Sequence, residues 1–248
     1  MSVRVLDLSD VGKTFGGLHA VSGVSLAVTE GERCVILGPN GAGKTTLFHC
    51  ITGRVPVSAG RVTIFGRDAT VMPAHMRTRL GIGRTFQITN LFADLTLLEN
   101  VVLAAYGRQS TWHSLFSRWR DDGAIQKAAM DALARVRLDD KAQALVSDLS
   151  YGEQRQLELA LALVGGPRLL LLDEPCAGLS PAERQTFSAM ILAVPRDVTI
   201  VVVEHDMDVA FAIADRLIVL AQGRLVADGT PADVRADPMV QELYLGQH

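Results

Sequence analysis

The sequence predicts an α/β fold built around a parallel sheet, and three observations carry that prediction. Apolar runs bounded by turn residues alternate with helix-like segments, the order that yields a parallel sheet covered by helices. Residues 169–172 are a continuous apolar run and residues 198–203 one broken only by Thr199, as strands buried on both faces should be. A glycine-rich stretch, residues 38–45, lies between a short apolar run and a helix-like one, where a strand hands over to a helix through a ligand-binding loop.

In chain order, residues 24–28 alternate and stop at Glu30-Gly31, which reads as a strand, and residues 33–37 form a short buried strand. Residues 44–52 are helix-like and stop at Gly53, and residues 61–65 alternate and end at Gly66. From about residue 95 to 164 the strand pattern disappears, so a helical insertion is expected, its last helix running from Gly152 to Gly165-Gly166-Pro167. Ser180-Pro181-Ala182-Glu183 offers an N-cap serine, proline at the first helical position and a glutamate to complete a capping box. Thr230-Pro231-Ala232-Asp233 repeats that logic. Residues 216–220 and 224–227 flank Gln222-Gly223, a hairpin signal. The expected organisation is one domain over residues 1–248, with residues 1–90 and 165–248 as core and about 91–164 as a helical subdomain.

Composition fits a globular chain: 248 residues, 48% hydrophobic, 21% charged. The formal net charge of −3 gives no overall pull toward nucleic acid or anionic lipid. Cys34, Cys50 and Cys176 form no CxxC pair, and an odd number closes no disulfide framework, so reduced thiols are expected. The first ten residues show no signal-peptide core, and no apolar run approaches the ~18 residues needed to cross a bilayer.

Three places carry chemistry. Gly38-Pro39-Asn40-Gly41-Ala42-Gly43-Lys44-Thr45 fits G-x-x-x-x-G-K-[ST] in the strand-to-helix context the motif requires. Its glycines allow backbone N–H groups to wrap phosphate oxygens, and the following helix points its positive end at the anion. Gly38, Asn40, Gly41, Gly43, Lys44, Thr45 and Thr46 are the candidate nucleotide-binding residues, with Lys44 reaching phosphate and Thr45 able to ligate Mg²⁺. Asp173-Glu174 close the leucine run 169–172; Asp173 is a candidate Mg²⁺ ligand and Glu174 a candidate to polarise an attacking water. Taken alone, that pair reads equally well as a solvated strand terminus. His205 follows the strand 198–203 and Glu204. A lone histidine is more often structural, but strand C-termini are where open α/β sheets build their sites, and there it would bond a γ-phosphate.

With these parts in place the chain resembles the ATP-binding-cassette (ABC) ATPases across essentially its whole length. The discriminating stretch is Leu149-Ser150-Tyr151-Gly152-Glu153-Gln154-Arg155-Gln156, similar to the family's signature and lying just before the acidic strand. The resemblance implies a P-loop NTPase nucleotide-binding domain with a RecA-like parallel-sheet core, an antiparallel β subdomain and an inserted α-helical subdomain. It implies ATP and Mg²⁺ as cofactors, and a head-to-tail dimer in which Ser150 and Gly152 cap the nucleotide held by the partner chain. Gln87, in Arg84-Thr85-Phe86-Gln87, resembles the glutamine that touches Mg²⁺ and the attacking water; Phe15, in Lys13-Thr14-Phe15-Gly16-Gly17, resembles the aromatic that stacks on adenine. Glu174 and His205 match the catalytic glutamate and switch histidine. Three positions depart from the family pattern: Tyr151 replaces the usual glycine, Glu153 the usual glutamine, and Ala177-Gly178-Leu179-Ser180 stands where many relatives have Ser-Ala-Leu-Asp.

Phe15-Gly16-Gly17-Leu18, Arg84-Thr85-Phe86-Gln87, Leu91-Phe92, the stretch 96–101, Glu204-His205-Asp206-Met207 and Tyr244-Leu245-Gly246 resemble the branched-chain amino-acid importer group, which includes urea and related amide systems. That resemblance implies permease subunits, a second ATPase subunit in a homo- or heterodimer and, indirectly, a solute-binding protein. It implies a peripheral position on the cytoplasmic face of the inner membrane. The lipopolysaccharide-export ATPases share several of these features and stay open as an alternative, as does a soluble ABC protein. Against the latter, the chain has no long coiled coil, tandem cassette or strong basic patch, so no nucleic-acid partner is expected. A GTP-dependent switch would want an Asn-Lys-x-Asp stretch, which is missing. Residues 108–120, rich in Trp and Arg, read either as a boundary with permease or lipid or as a loop packed on its own subdomain.

Overall fold

The structure, a computed structural model, describes residues 3–85, 91–108 and 123–245. The described strands are β1 (Arg4–Phe15), β2 (Leu18–Thr29), β3 (Arg33–Leu37), β4 (Ala59–Ile64), β5 (Arg67–Asp68), β6 (Ile82–Arg84), β7 (Leu169–Asp173), β8 (Thr199–Val203), β9 (Arg216–Ala221) and β10 (Arg224–Gly229). The described helices are α1 (Lys44–Thr52), α2 (Ala74–Arg79), α3 (Leu97–Arg108), α4 (Gly123–Arg135), α5 (Tyr151–Leu163), α6 (Pro181–Ala193), α7 (Met207–Ile213), α8 (Pro231–Ala236) and α9 (Pro238–Leu245).

Six strands form one sheet in the order β10-β9-β3-β8-β7-β6. It is parallel from β9 to β6, with β10 closing it as an antiparallel hairpin at Gln222-Gly223. Side chains alternate between its faces with the two-residue strand period. Val35, Leu37, Leu170, Leu172, Ile200 and Val202 enter a core shared with α3, α4, α5 and α6. Cys34, Ile36, Leu169, Leu171, Val201 and Val203 enter a second core under α1 and the other sheet. That double burial is why these strands read as unbroken apolar runs.

The second sheet is antiparallel, in the order β2-β1-β4-β5. Its first strand was not legible in the sequence. Register shifts interrupt the β1–β2 pairing at several points, and Asp10 adopts a left-handed φ of 52°, so the alternation that marks a strand breaks within it. The expected capping boxes are present at Ser180 and Thr230, each with proline in the first turn. The expected helical stretch holds α3, α4 and α5, with one isolated bridge, Thr96 to Leu145, as its extended pairing among the described residues. The three cysteines are buried and unbonded to one another, and burial pushes the Cys176 thiol up to about 12.

Candidate functional site: a phosphate loop facing two acids

The C-terminal ends of β3, β7 and β8 bring four of the predicted residues together, Lys44, Asp173, Glu174 and His205. The loop after β3 is shaped by its neighbours. Gly223 N–H donates to Ala42 O at 3.0 Å, and Ser22 N–H to Gly223 O at 2.8 Å. Gly43 caps α1 with φ 96°, and a Cβ there would run into the carbonyl oxygen of Ala20; glycine is required for conformation and for space. Gly41 and Asn40 are exposed at the loop's outer edge, while Thr45 and Thr46, in the first turn of α1, are half-buried.

Lys44 is buried and folds back across the loop, donating from Nζ to Gly38 O at 2.7 Å and Pro39 O at 3.0 Å. Burial lowers its pKa first, and the carboxylates of Glu174, Asp173 and Glu204 push the other way. The ammonium is thus tied to two loop carbonyls and lies in the field of three acids.

Asp173 ends β7 and is 3% exposed. Its backbone N–H donates to Thr85 Oγ1 at 3.4 Å, and its Oδ1 is buried without a hydrogen-bond partner. Burial, then the charge of Glu174, pushes the carboxyl up to about 6, against the pull of Arg54 and Lys44. A buried, unpaired carboxylate oxygen is costly, and a hard dication is a partner that removes the cost. Among the described residues no group of three or more His, Cys, Asp or Glu could hold a metal by itself.

The acid group gives a pH-dependent prediction. Below about 3.8 Asp173 is protonated in both folded and unfolded chains. Between 3.8 and about 6 only the unfolded chain ionises, so stability falls as pH rises and the penalty is complete above about 6. The shift corresponds to at most about 3 kcal/mol. Asp173→Asn should therefore raise the melting temperature of the nucleotide-free chain at pH 7.5 and lose that advantage near pH 4. Equal melting temperatures at pH 7.5 would contradict a strained carboxylate.

Glu174 follows with φ 45°, a conformation that costs a non-glycine residue on the order of 1–3 kcal/mol. Its N–H donates to Val203 O at 2.9 Å, which ties the turn after β7 to β8. His205 Nδ1 lies 3.8 Å from Glu174 Oε2, both side chains partly exposed. Phe15, at the end of β1, is exposed, with Lys13 Nζ 4.9 Å from its ring centroid. Gln87 lies outside the described residues, as does most of the 108–120 segment.

Ser150 and Gly152 belong to a second cluster. Ser150 caps α5 in a full capping box with Glu153, so the departure at Glu153 builds the helix start. Glu153 also pairs with Lys141. A Cβ at Gly152 would run into Glu183 Oε1 from α6, and these residues flank an open groove between α5 and α6.

One residue escaped the sequence reading. Glu204 is completely buried, accepting from Cys176 N–H and His205 N–H, both at 3.2 Å. Burial raises its pKa and those backbone donors lower it. It braces the loop after β7 against the loop after β8. An acid ending an apolar strand beside His205 was the available signal.

A family model described as ABC transporter matches residues 21–177. The chain belongs to the ABC transporter ATPases. It is an ATP-binding, ATP-hydrolysing subunit. A second model, described as branched-chain amino acid ATP-binding cassette transporter, matches residues 224–248 of this ATPase. The chain is 39% identical over 254 residues to the high-affinity branched-chain amino acid transport ATP-binding protein BraF of Pseudomonas aeruginosa, covering 100% of both chains. It is 33% identical to the lipopolysaccharide export system ATP-binding protein LptB of Escherichia coli, covering 99% of this chain and 98% of that one. A solved ATP-binding cassette of an ABC transporter in its ADP conformation superposes with a TM-score of 0.88 at 30% identity, over 98% of this chain and 99% of that one. The expected cassette fold is thus borne out.

Proposed function

We propose that this ATPase powers import of branched-chain amino acids. The observation that carries the reading is full-length similarity to BraF together with the match of residues 224–248. The lower identity to the lipopolysaccharide-export relative weighs against the export alternative. Among the described residues no helix is long and apolar enough to cross a membrane. On this reading the chain works at the cytoplasmic face of the inner membrane through permease subunits, with residues 91–164 as the helical subdomain that grips them. Its other partners are a second ATPase subunit and, indirectly, a solute-binding protein.

In the proposed cycle the loop Gly38–Thr46 and Lys44 bind and neutralise the phosphates, and Phe15 stacks on adenine. Thr45, Asp173 and Gln87 would hold Mg²⁺, which when bound draws charge from the phosphate oxygens. Glu174 accepts the proton of the attacking water, and His205 holds the γ-phosphate. Ser150 and Gly152 face the nucleotide of the partner chain, so binding joins two cassettes head to tail and hydrolysis parts them. The unpaired Oδ1 of Asp173 and the Glu174–His205 pair support these assignments.

Uptake of labelled leucine, isoleucine and valine tests the solute. Cells in which the chain carries Glu174→Gln should take these up no faster than cells lacking it. Unaltered uptake, with loss of labelled urea uptake instead, would move the ATPase to the amide branch.

A further inference from the structure

Tyr151 stands in the signature turn where glycine is usual, and its side chain meets the loop that follows β7. Its hydroxyl donates to Ala177 O at 3.1 Å. The same oxygen accepts from Arg155 Nε at 3.0 Å and Nη2 at 2.6 Å. Arg155 is itself held by Glu158, at 3.0 Å from Nη1. A phenol has one proton and two lone pairs. With both lone pairs facing a guanidinium, the proton is committed to Ala177, and the bond is strengthened by the adjacent charge. The ring has room because residue 178 is glycine. A Cβ there would lie 3.0 Å from Tyr151 Cε1, and φ at Gly178 is 77°. The two departures from the family pattern, Tyr151 and Gly178, thus fit each other.

The contact has a second side. The loop after β7 is held on its far flank by Glu204, through Cys176 N–H and His205 N–H. At its end, Glu183 accepts from Ser180 N–H at 2.8 Å while its other oxygen covers Gly152. A hydrogen-bonded path therefore runs from the signature turn, through Ala177 and Cys176, to the backbone beside His205.

We propose that Tyr151 is a positioning residue that clamps the loop carrying Glu174 to the signature turn of the same chain. A signature turn engaged on the partner's nucleotide then holds Glu174 and His205 of its own site in place. The inference rests on the reading that Ser150 and Gly152 face the partner's nucleotide.

The test uses the full chain with Tyr151→Phe, which keeps the ring against Gly178 and removes the hydroxyl. Losing one hydrogen bond of about 1.4 kcal/mol should speed hydrogen exchange of the 174–180 amides about 10-fold. kcat for ATP hydrolysis should fall about 10-fold, while affinity for a fluorescent ATP analogue stays within about twofold, because the phosphate loop is untouched. Arg155→Gln, which leaves the hydroxyl without its two donors, should move both readouts in the same direction. Unchanged exchange in Tyr151→Phe overturns the clamp. Faster exchange with unchanged kcat, or a parallel loss of affinity, overturns the positioning role. Ser150→Arg tests the underlying reading separately: intact turnover there removes the partner-facing assignment whatever Tyr151→Phe shows.

Discussion

Glu174→Gln should bind ATP as the native chain does, hydrolyse it 10²- to 10⁴-fold more slowly and accumulate as an ATP-bound dimer. The range is that of a lost general base. Glutamine keeps the side-chain shape and the backbone of the strained φ 45° turn, but its amide cannot take a proton from water. Lys44 and the phosphate loop keep their contacts with Gly38 O and Pro39 O, so binding should survive. Phosphate release at saturating Mg·ATP, with gel filtration in ATP, measures both halves. Hydrolysis at the native rate would mean that Glu174 is not the base.

Lys44→Ala should lose ATP affinity by 10²-fold or more. Removing one member of a close, water-excluded charge pair costs about 2–5 kcal/mol, and Lys44 is the buried cation that Glu174, Asp173 and Glu204 share. Its loss would also raise the Asp173 carboxyl further, since Lys44 is one of the two groups pulling it down. The loop should keep its fold, because Ala42 O remains bonded to Gly223 N–H and Gly43 still caps α1. Equilibrium titration with a fluorescent ATP analogue decides it; native affinity would take Lys44 out of the cradle.

What was legible in the sequence follows from what is local. The phosphate loop, the caps at Ser180 and Thr230 and the apolar strands 169–172 and 198–203 each depend on residues a few positions apart. Their physics is set by backbone geometry and by burial on both faces. β1 escaped because its partners β2 and β4 force bulges that spoil its period. The short α2 escaped because its anchor is tertiary: Arg77 is buried and donates to Cys50 O and Ile51 O at 2.7 Å, capping the end of α1. At the site, Lys44, Asp173, Glu174 and His205 could be picked out as candidates, but not the strain at Glu174, the unpaired oxygen of Asp173 or the brace at Glu204. Those arise from strands far apart in sequence. The departures at Tyr151 and Gly178 looked separate in the sequence, since only folding brings residue 151 against residue 178.

Affinity capture of tagged Glu174→Gln chain from native membranes in the presence of ATP, with co-purifying proteins identified by mass spectrometry, asks which proteins the ATP-bound chain holds. A polytopic permease should be recovered together with a second cassette subunit, held because the ATP-bound dimer cannot reopen. Recovery of soluble or ribosomal partners alone, with no membrane protein, would contradict the transport role while leaving the ATPase chemistry in place.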